Sequence, residues 1–392
     1  MPWKTKCTSE QRWDLVRQMN GGRLPIAELC RRFGISRQTA YKWRCRYRQK
    51  RLWGLKDRSR RPRHSGRQTS VLWLRRLRRC RRRHWSWGAR KLRHELVERF
   101  GQGGAPALAT INHWLKRWGL SRGRPRRRRG PALLRKPLRR ARRCHEVWTV
   151  DFKGSYCTGD GRRVEPLTVR DLRSRYGLEI ALLTTQTIAL TRQAFVRLFL
   201  QQGVPERIRC GNGSPFGGGG PTGLTRLSAW WVKLGIEVEF ITPGRPCENG
   251  AHEQFHRVYK AEVAARPEQT VRAQQQRSGR WLHHYNHERP HEALGMKRPA
   301  DLFERNQRRM PKKVRPWRYP KGWERCWVKG NGQISWRGVR RYVGEAFVRD
   351  YVGLKETRGA GVWQVYFGPV LVGELHENEH GSIRMAKYVR AR

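Results

Sequence analysis

The stretch 146-EVWTVDFKG-154 decides the fold, because it is the first strand of an α/β pattern that fills the middle of the chain. Two further strands joined by a turn are predicted over 164–183, and helices alternate with short strands from 191 to 288. The apolar run of the first strand ends at Asp151, and a carboxylate at a strand end is held on a rigid element. The middle of the chain is therefore predicted to place an acidic side chain at one edge of a sheet.

A second acidic residue, Glu253, lies in 249-NGAHEQFHRVYK-260, after a Pro/Gly turn and near the start of a predicted helix. Taken singly, Asp151 and Glu253 are better explained as a strand-end and a helix-cap carboxylate. Their joint sequence context, described below, makes both residues candidate metal ligands.

The N-terminal residues 10–48 carry the apolar spacing of three helices. Cys30, Gly34 and Ile35 have the sizes that a helix-turn-helix needs at the turn, where glycine permits the sharp change of direction. Ser36 is a natural N-cap for the third helix. A generic three-helix bundle is the alternative. If the motif is a DNA-reading one, the side chains facing DNA are Ser36, Arg37, Gln38, Thr39, Lys42 and Arg44.

The charge of the chain is extreme: 87 basic minus 30 acidic residues gives +57. Charge of this sign spread along the whole sequence favours a polyanionic partner, most commonly nucleic acid. The nine cysteines form no CxxC pair, which favours a reducing compartment over a disulfide framework. Neither a signal-peptide core nor a membrane span is evident, so we expect a cytoplasmic protein associated with DNA.

Composition divides the rest of the chain. Helical patterns at 84–96 and 107–120 predict a second helix-turn-helix, winged or not, or a helical spacer. Gly330-Asn331-Gly332 predicts a tight hairpin within a small C-terminal β-barrel. The predicted division is a helix-turn-helix domain (1–53), a basic linker (54–70), a second helix-turn-helix or winged-helix unit (71–121), an Arg-rich linker (122–145), an α/β core (146–305) and a small β-barrel (318–392).

Three motifs together resemble the insertion-sequence transposases of the retroviral-integrase superfamily: 146-EVWTVDFKG-154, 242-TPGRPCENGAHEQFHRVYK-260 and 283-HHYNHERPHEALGMKRPADL-302. The resemblance covers most of the chain. It implies a multidomain protein with N-terminal all-α helix-turn-helix domains, an α/β RNase H-like catalytic core and a C-terminal small β-barrel. It also implies an Asp, Asp, Glu triad that holds two Mg²⁺ ions, with Mn²⁺ as a substitute.

In that triad Asp151 matches the first position and Glu253 the third, while Lys260 matches a basic residue that contacts transposon-end DNA. The second position falls in 208-IRCGNGSPF-216, where relatives carry Asp-Asn-Gly and this chain has Gly211 before Asn212. Cys210 does not replace the missing aspartate, because Mg²⁺ disfavours sulfur. Asn212 is carried over as a DNA contact. The catalytic set is thus Asp151, the vacant position Gly211, and Glu253.

These features predict a DNA transposase that binds transposon ends and catalyses metal-dependent cleavage and strand transfer, impaired by Gly211. Its expected partners are double-stranded DNA, both transposon inverted-repeat ends and target DNA, and further copies of itself, without a membrane. The alternative is a catalytically inactive, transposase-derived repressor or inhibitor that binds DNA. A nucleic-acid packaging protein is a weaker third reading. Structural zinc on Cys247, His252 and His256, or on His283, His287 and His291, lacks familiar ligand spacing.

Overall fold

The computed structural model describes residues 6–59, 69–121, 138, 140–218, 222–357 and 361–386. It forms two compact units, Met1–Ser70 and Val71–Arg392. Most of the predicted linkers 54–70 and 122–145 lies outside the described residues, which omit 60–68, 122–137 and 139.

The first unit contains three helices, as predicted: α1 (Thr8–Gly21), α2 (Ile26–Arg32) and α3 (Arg37–Gly54). Their apolar faces meet in a core that includes Leu15, Val16 and Leu29. Gly34 has a φ of 62°, a left-handed conformation that glycine adopts without strain, and it turns the chain between α2 and α3. The Ser36 side chain caps α3 by accepting a hydrogen bond from the Thr39 N–H at 3.2 Å.

The second unit begins with three further helices: α4 (Val71–Arg83), α5 (Ala89–Phe100) and α6 (Leu108–Arg117). The sequence pattern predicted a helix from residue 84, but α5 begins at Ala89, because His84–Gly88 form a turn in which the Trp87 N–H donates to the His84 carbonyl at 3.0 Å. Residues 71–121 are all described and contain no strand, so they form no wing.

The α/β core is a mixed six-stranded sheet with strand order β2-β3-β1-β5-β6, in which β4 also pairs with β3. Its elements are β1 (Val147–Phe152), β2 (Tyr156–Cys157), β3 (Arg163–Asp171), β4 (Gly177–Leu183), α7 (Ile188–Gln202), β5 (Arg207–Cys210), α8 (Arg226–Lys233), β6 (Glu237–Phe240), α9 (Gly250–Tyr259) and α10 (Val271–His287). β3 pairs antiparallel with β1 and β4, whereas β5 is parallel to β1 and β6. β1 therefore lies in the middle of the sheet, buried on both sides.

The C-terminal strands form two sheets, of which one has the order β14-β12-β11-β10-β7 and the other β13-β9-β8. The strands are β7 (Glu324–Trp327), β8 (Gln333–Trp336), β9 (Val339–Tyr342), β10 (Tyr351–Glu356), β11 (Val362–Phe367), β12 (Val370–His376), β13 (Gly381–Ser382) and β14 (Arg384–Met385). Their buried side chains continue the hydrophobic core of the α/β sheet. These pairings do not confirm the predicted closed barrel.

The predicted hairpin around Gly330–Gly332 is wrong as a strand pair. The tight turn does form, because the Lys329 N–H donates to the Gln333 carbonyl at 2.8 Å. However, β7 pairs with β10 and β8 pairs with β9, so the turn passes the chain from one sheet to the other. No described helix has both the length and the apolar composition needed to cross a bilayer.

Candidate functional site

Asp151 is the first acidic residue of the candidate site, and the fold places it near the end of the central strand β1. Its side chain is 40% exposed, although the four preceding residues are buried. One carboxylate oxygen, Oδ1, accepts the Phe152 N–H at 2.9 Å. The strand thus fixes the backbone, while the carboxylate remains accessible near the C-terminal end of β1.

Glu253 lies in the first turn of α9, on the exposed side of that helix. Burial raises the pKa of Asp151 to about 6, and the like charge of Glu253 adds to this rise, while the Phe152 N–H and Lys153 oppose it. The structure therefore brings together two carboxylates that are 102 positions apart (253 minus 151) in the chain. A raised carboxyl pKa at an accessible edge is typical of functional sites.

A buried polar network fixes α9 against the sheet. His252 Nδ1 lies 2.8 Å from the Thr149 hydroxyl, and its Nε2 lies 2.6 Å from the Thr168 hydroxyl. His256 Nε2 lies 2.7 Å from the same Thr168 oxygen. This network spans β1, β3 and α9, so it determines where the Glu253 helix sits relative to Asp151.

The proton positions in this network follow from the donors available. The Thr168 hydroxyl has one proton; when it donates that proton to the Asp151 carbonyl at 2.9 Å, both imidazoles donate to Thr168 through Nε2–H. His256 Nδ1 is then unprotonated, and it faces Asp151 Oδ2 at 3.7 Å without a hydrogen bond. Burial lowers the pKa of His256 to about 3, helped by Lys153 and Arg170. His256 therefore supplies no positive charge to Asp151.

Gly211 follows β5, the strand beside β1. The parallel register pairs Thr149 with Arg209, so two further residues along each strand bring Asp151 level with Gly211. A Cβ at Gly211 would have no neighbouring atom within 4 Å, and the backbone is not in the left-handed region. The second position of the implied triad is thus an open place beside Asp151 without a side chain.

The neighbouring residues do not fill this position. Cys210 is fully buried in the hydrophobic core, and burial raises the pKa of its thiol, so it is a packing residue. Glu206 precedes β5 and its carboxylate pairs with Arg143 at 2.5 Å. The Asn212 side chain donates to the Ile241 carbonyl at 2.7 Å and so ties the loop to the end of β6.

Two lysines flank the carboxylates. Lys260 follows α9 directly, seven residues after Glu253, and is exposed as predicted for a DNA contact. The pKa of Lys153 is lowered by burial and by the charge of Lys260, so these cations lie near each other. The sequence analysis missed Lys153, although its place two residues after a strand-end aspartate was a signal. Thr149 and Thr168 were not predicted either, because they occupy ordinary strand positions that carry no signal of a functional role.

The predicted DNA-reading side chains of the first unit lie around the start of α3. Ser36, Arg37, Gln38 and Lys42 are exposed, whereas Thr39 and Arg44 are half-buried. The Ser36 hydroxyl is engaged in capping the helix. Arg44 has a buried Nε without a hydrogen-bond partner, so it is less available to DNA than the sequence suggested.

Within the described residues, no three or more His, Cys, Asp and Glu side chains are grouped so that they could hold a metal ion. The histidines considered for zinc have other contacts: His252 and His256 bond to threonines, while His283 and His287 stack on each other with ring centroids 4.5 Å apart. The Cys247 side chain lies outside the described residues.

Three family models match parts of the chain: a helix-turn-helix domain at residues 11–63, an integrase core domain at 234–299 and the C-terminal domain of IS481 family transposases at 324–381. These matches confirm the N-terminal helix-turn-helix domain and the RNase H-like integrase core.

Two insertion-element proteins are similar in sequence. An uncharacterized 31.7 kDa protein of insertion element IS407 from Burkholderia multivorans is 28% identical over 217 residues, or 55% of this chain and 75% of that protein. An uncharacterized 39.2 kDa protein of IS476 from Xanthomonas euvesicatoria is 28% identical over 229 residues, or 56% of this chain and 61% of that protein.

Solved structures with a similar chain include the HTLV-2 integrase catalytic core domain in complex with magnesium, which is 14% identical with a TM-score of 0.33. The matched region covers 42% of this chain and 99% of the HTLV-2 chain. The simian T-cell lymphotropic virus intasome with a PP2A regulatory subunit is 13% identical, covers 81% of this chain and 100% of the other, and has a TM-score of 0.37.

Proposed function

We propose, from the premise that this chain is an insertion-sequence transposase of the integrase superfamily, that it binds transposon ends with a phosphoryl-transfer site that lacks one carboxylate. The observation that carries the proposal is the position of Gly211. It continues the strand beside β1, level with Asp151, in open space where an aspartate would face the pair formed with Glu253. The expected consequence is DNA binding with slow cleavage and strand transfer.

A divalent cation such as Mg²⁺, or Mn²⁺ in its place, fits the oxygen donors of Asp151 and Glu253. Their mutual repulsion, which contributes to the raised pKa of Asp151, is the electrostatic condition that a bound cation relieves. When bound, the metal ions of such a site activate the attacking oxygen and stabilise the leaving oxygen. With Gly211 in the second position, this chain offers two of the three carboxylates, so weaker metal binding is expected.

The remaining residues take roles in DNA binding. The exposed start of α3, with Arg37, Gln38 and Lys42, would read the major groove, while Lys260 and Asn212 would meet the transposon end. The basic linkers would follow the phosphate backbone, and the C-terminal strands would close as a small barrel. A homodimer or larger assembly on paired ends completes the proposal. The net charge of +57 supports tight, salt-sensitive binding to duplex DNA.

The test is restoration by Gly211→Asp, measured as strand transfer of labelled transposon-end DNA in Mg²⁺ and in Mn²⁺. The side chain enters open space, so the fold should tolerate it. Restoring a missing member of a catalytic unit should raise the rate about 10³-fold or more. Gly213→Asp is the matched control, because it adds the same charge to the same loop, again in open space. Equal rates in the parent and in Gly211→Asp would refute the proposal.

A second candidate function is favoured by the same vacancy. A transposase-derived protein that binds the ends without cutting them would act as a repressor or inhibitor. Gel-shift affinity for end DNA together with absent strand transfer, both before and after Gly211→Asp, would select this function. Rescue of transfer by the aspartate would select an impaired transposase instead.

A further inference from the structure

A cavity of about 540 Å³ lies between α5, α9 and the segment after α10, away from the carboxylates. Its wall is strongly cationic, and each cation comes from a different part of the fold. The basic residues are Lys91 on α5, Arg170 on β3, Arg175 in the β3–β4 turn, Arg257 on α9 and Arg289 after α10. The wall contains one acidic residue, Glu292.

The acidic groups near this cavity are already engaged. Glu292 pairs with Arg90 at 3.1 Å, and Glu262 pairs with Arg289 at 2.7 Å. Within the part of the chain that the structure describes, Lys91, Arg170, Arg175 and Arg257 form no ion pair. Five basic side chains thus share the wall with one carboxylate, Glu292, which is itself paired with Arg90.

Burial makes this arrangement costly. Arg170 is 3% exposed; its terminal nitrogens donate to the Ala251 and Arg175 carbonyls and its guanidinium lies 5.0 Å from the Phe255 ring centroid, but its Nε has no hydrogen-bond partner. His291 Nε2, which also lines the cavity, is buried without a partner. Burial and the nearby charge of Arg289 lower the pKa of Lys91 to about 7. A buried charge without a nearby countercharge is costly, so an anionic partner would stabilise Lys91, Arg170 and Arg175.

The helix α9 adds to the positive potential, because its N-terminal residues Gly250 and Ala251 line the same cavity. A helix N-terminus carries partial positive charge and favours anions. At 3.6 residues per turn, the cavity-lining residues of α9 are centred about 100° around the helix from Glu253, and Arg257 is the one beside it. Neither Asp151 nor Glu253 lines the cavity.

We propose that this cavity binds a phosphate group. Convergent guanidinium groups form paired, charge-assisted hydrogen bonds with phosphate oxygens, and lysine adds a point charge. Positive charge alone does not carry the inference in so basic a chain. In another cationic cavity, lined by Arg192, Arg226, Lys233 and Arg349, an acidic residue of the wall, Asp350, pairs with Lys233 at 2.5 Å. The proposal also gives Arg289 and His291 of the Arg-Pro-His motif a shared role.

The test is isothermal titration of the full chain with inorganic phosphate and with pyrophosphate, at constant ionic strength set by chloride. Arg175→Gln and Arg257→Gln should each weaken binding about tenfold, the scale of one lost charge-assisted hydrogen bond. Arg192→Gln removes the same charge elsewhere and should change the affinity less than about twofold. No binding by the parent, or equal weakening in all three variants, would overturn the proposal.

Thermal melts separate a binding role from a structural one. In phosphate-free buffer, Arg175→Gln should melt at or above the parent temperature, because it relieves repulsion between unpaired cations. Phosphate should raise the melting temperature of the parent and of Arg192→Gln, but not of Arg175→Gln. A variant that melts well below the parent without phosphate would assign these cations to folding and overturn the proposal.

The source of the phosphate is decided by competition with a short DNA duplex. Loss of phosphate binding in the DNA complex would assign the cavity to a backbone phosphate, whereas retained binding would assign it to a free anion; both outcomes support a phosphate cavity. The titration needs neither metal nor strand transfer. Its failure would therefore leave the proposal on Gly211 untouched.

Discussion

Two faces of the helix α9 have opposite electrostatic deficits. On one face, Glu253 and Asp151 converge beside a neutral His256 and an open position at Gly211. On the other, Ala251 and Val258 line a cavity whose wall carries five basic side chains and one acidic side chain. Each face thus holds charges of the same sign close together, where they repel each other.

The difference lies in what would complete each face. Under the proposed function, the carboxylate face has no side chain at Gly211, and Gly211→Asp is expected to strengthen cation binding there. The cationic face has its full set of side chains and lacks a ligand. Perturbed pKa values occur on both faces, at Asp151 and at Lys91, yet only the cationic face should respond strongly to a ligand in the unaltered chain.

The largest expected effect tests the carboxylate face. In the Gly211→Asp background, adding Asp151→Asn should lower strand transfer about 10³-fold or more. The members of a catalytic unit act together, so the loss of one removes most of the rate. Glu206→Gln is the control: it removes an exposed acid from the segment that precedes β5. A rate that survives Asp151→Asn would show that the acid pair is structural, and would remove this side of the comparison.

A second test concerns how α9 is held against the sheet. His252→Ala should lower the free energy of unfolding by about 3 kcal/mol, because it leaves a cavity and removes one hydrogen-bond partner each from the Thr149 and Thr168 hydroxyls. Urea denaturation gives the value. His94→Ala, on the exposed side of α5, should cost less than about 0.5 kcal/mol. Similar losses in both variants would mean that the buried network does not anchor the helix.

Lys91 offers a test of the cationic face through pH. Burial and the charge of Arg289 lower the pKa of Lys91 in the folded chain to about 7, from the ordinary value of 10.5. The charges of Glu292 and Glu262 oppose this shift. The unfolded chain therefore binds more protons between these two values, and stability rises with pH across that window. Below about pH 7 the full cost of charging Lys91 is present.

Lys91→Met should accordingly stabilise the protein by about 1 kcal/mol at pH 6.5, after allowance for partial solvent screening. The advantage should shrink as the pH rises towards 10, and also when phosphate is added at pH 6.5. Paired thermal melts of the parent and the variant measure it. An advantage that is independent of both pH and phosphate would indicate simple hydrophobic packing at this position.

The sequence was sufficient for features that depend on local order. The strand that ends near Asp151, the helix that begins before Glu253 and the capped start of α3 all follow from periodicity and turn residues. The contact between Thr168 and His256 could not be predicted, because it depends on how β3 and α9 pack. The cationic cavity draws on five separate segments for the same reason.

The C-terminal strands show the same limit. A Gly-Asn-Gly turn between two apolar runs predicts a hairpin, and the turn does form. Which strands then pair depends on the partners that the rest of the chain offers. Here β7 pairs with β10 and β8 pairs with β9, so a correct prediction of the turn led to a wrong prediction of the strand pairing.

The smallest effect sharpens the comparison most directly, because it separates a missing side chain from a missing ligand. Without divalent ions, Gly211→Asp should lower the free energy of unfolding by no more than about 0.5 kcal/mol, since the new carboxylate adds repulsion near Asp151 but enters open, accessible space. Adding Mn²⁺ should then raise its melting temperature more than that of the parent, because binding to the folded state alone stabilises it. Gly213→Asp should respond like the parent. Phosphate, by contrast, should raise the melting temperature of all three proteins equally, since the cationic face is unchanged in each. If Mn²⁺ stabilised the parent as much as Gly211→Asp, the carboxylate face would already be complete, and the two sides of α9 would differ only in the sign of the ion they hold.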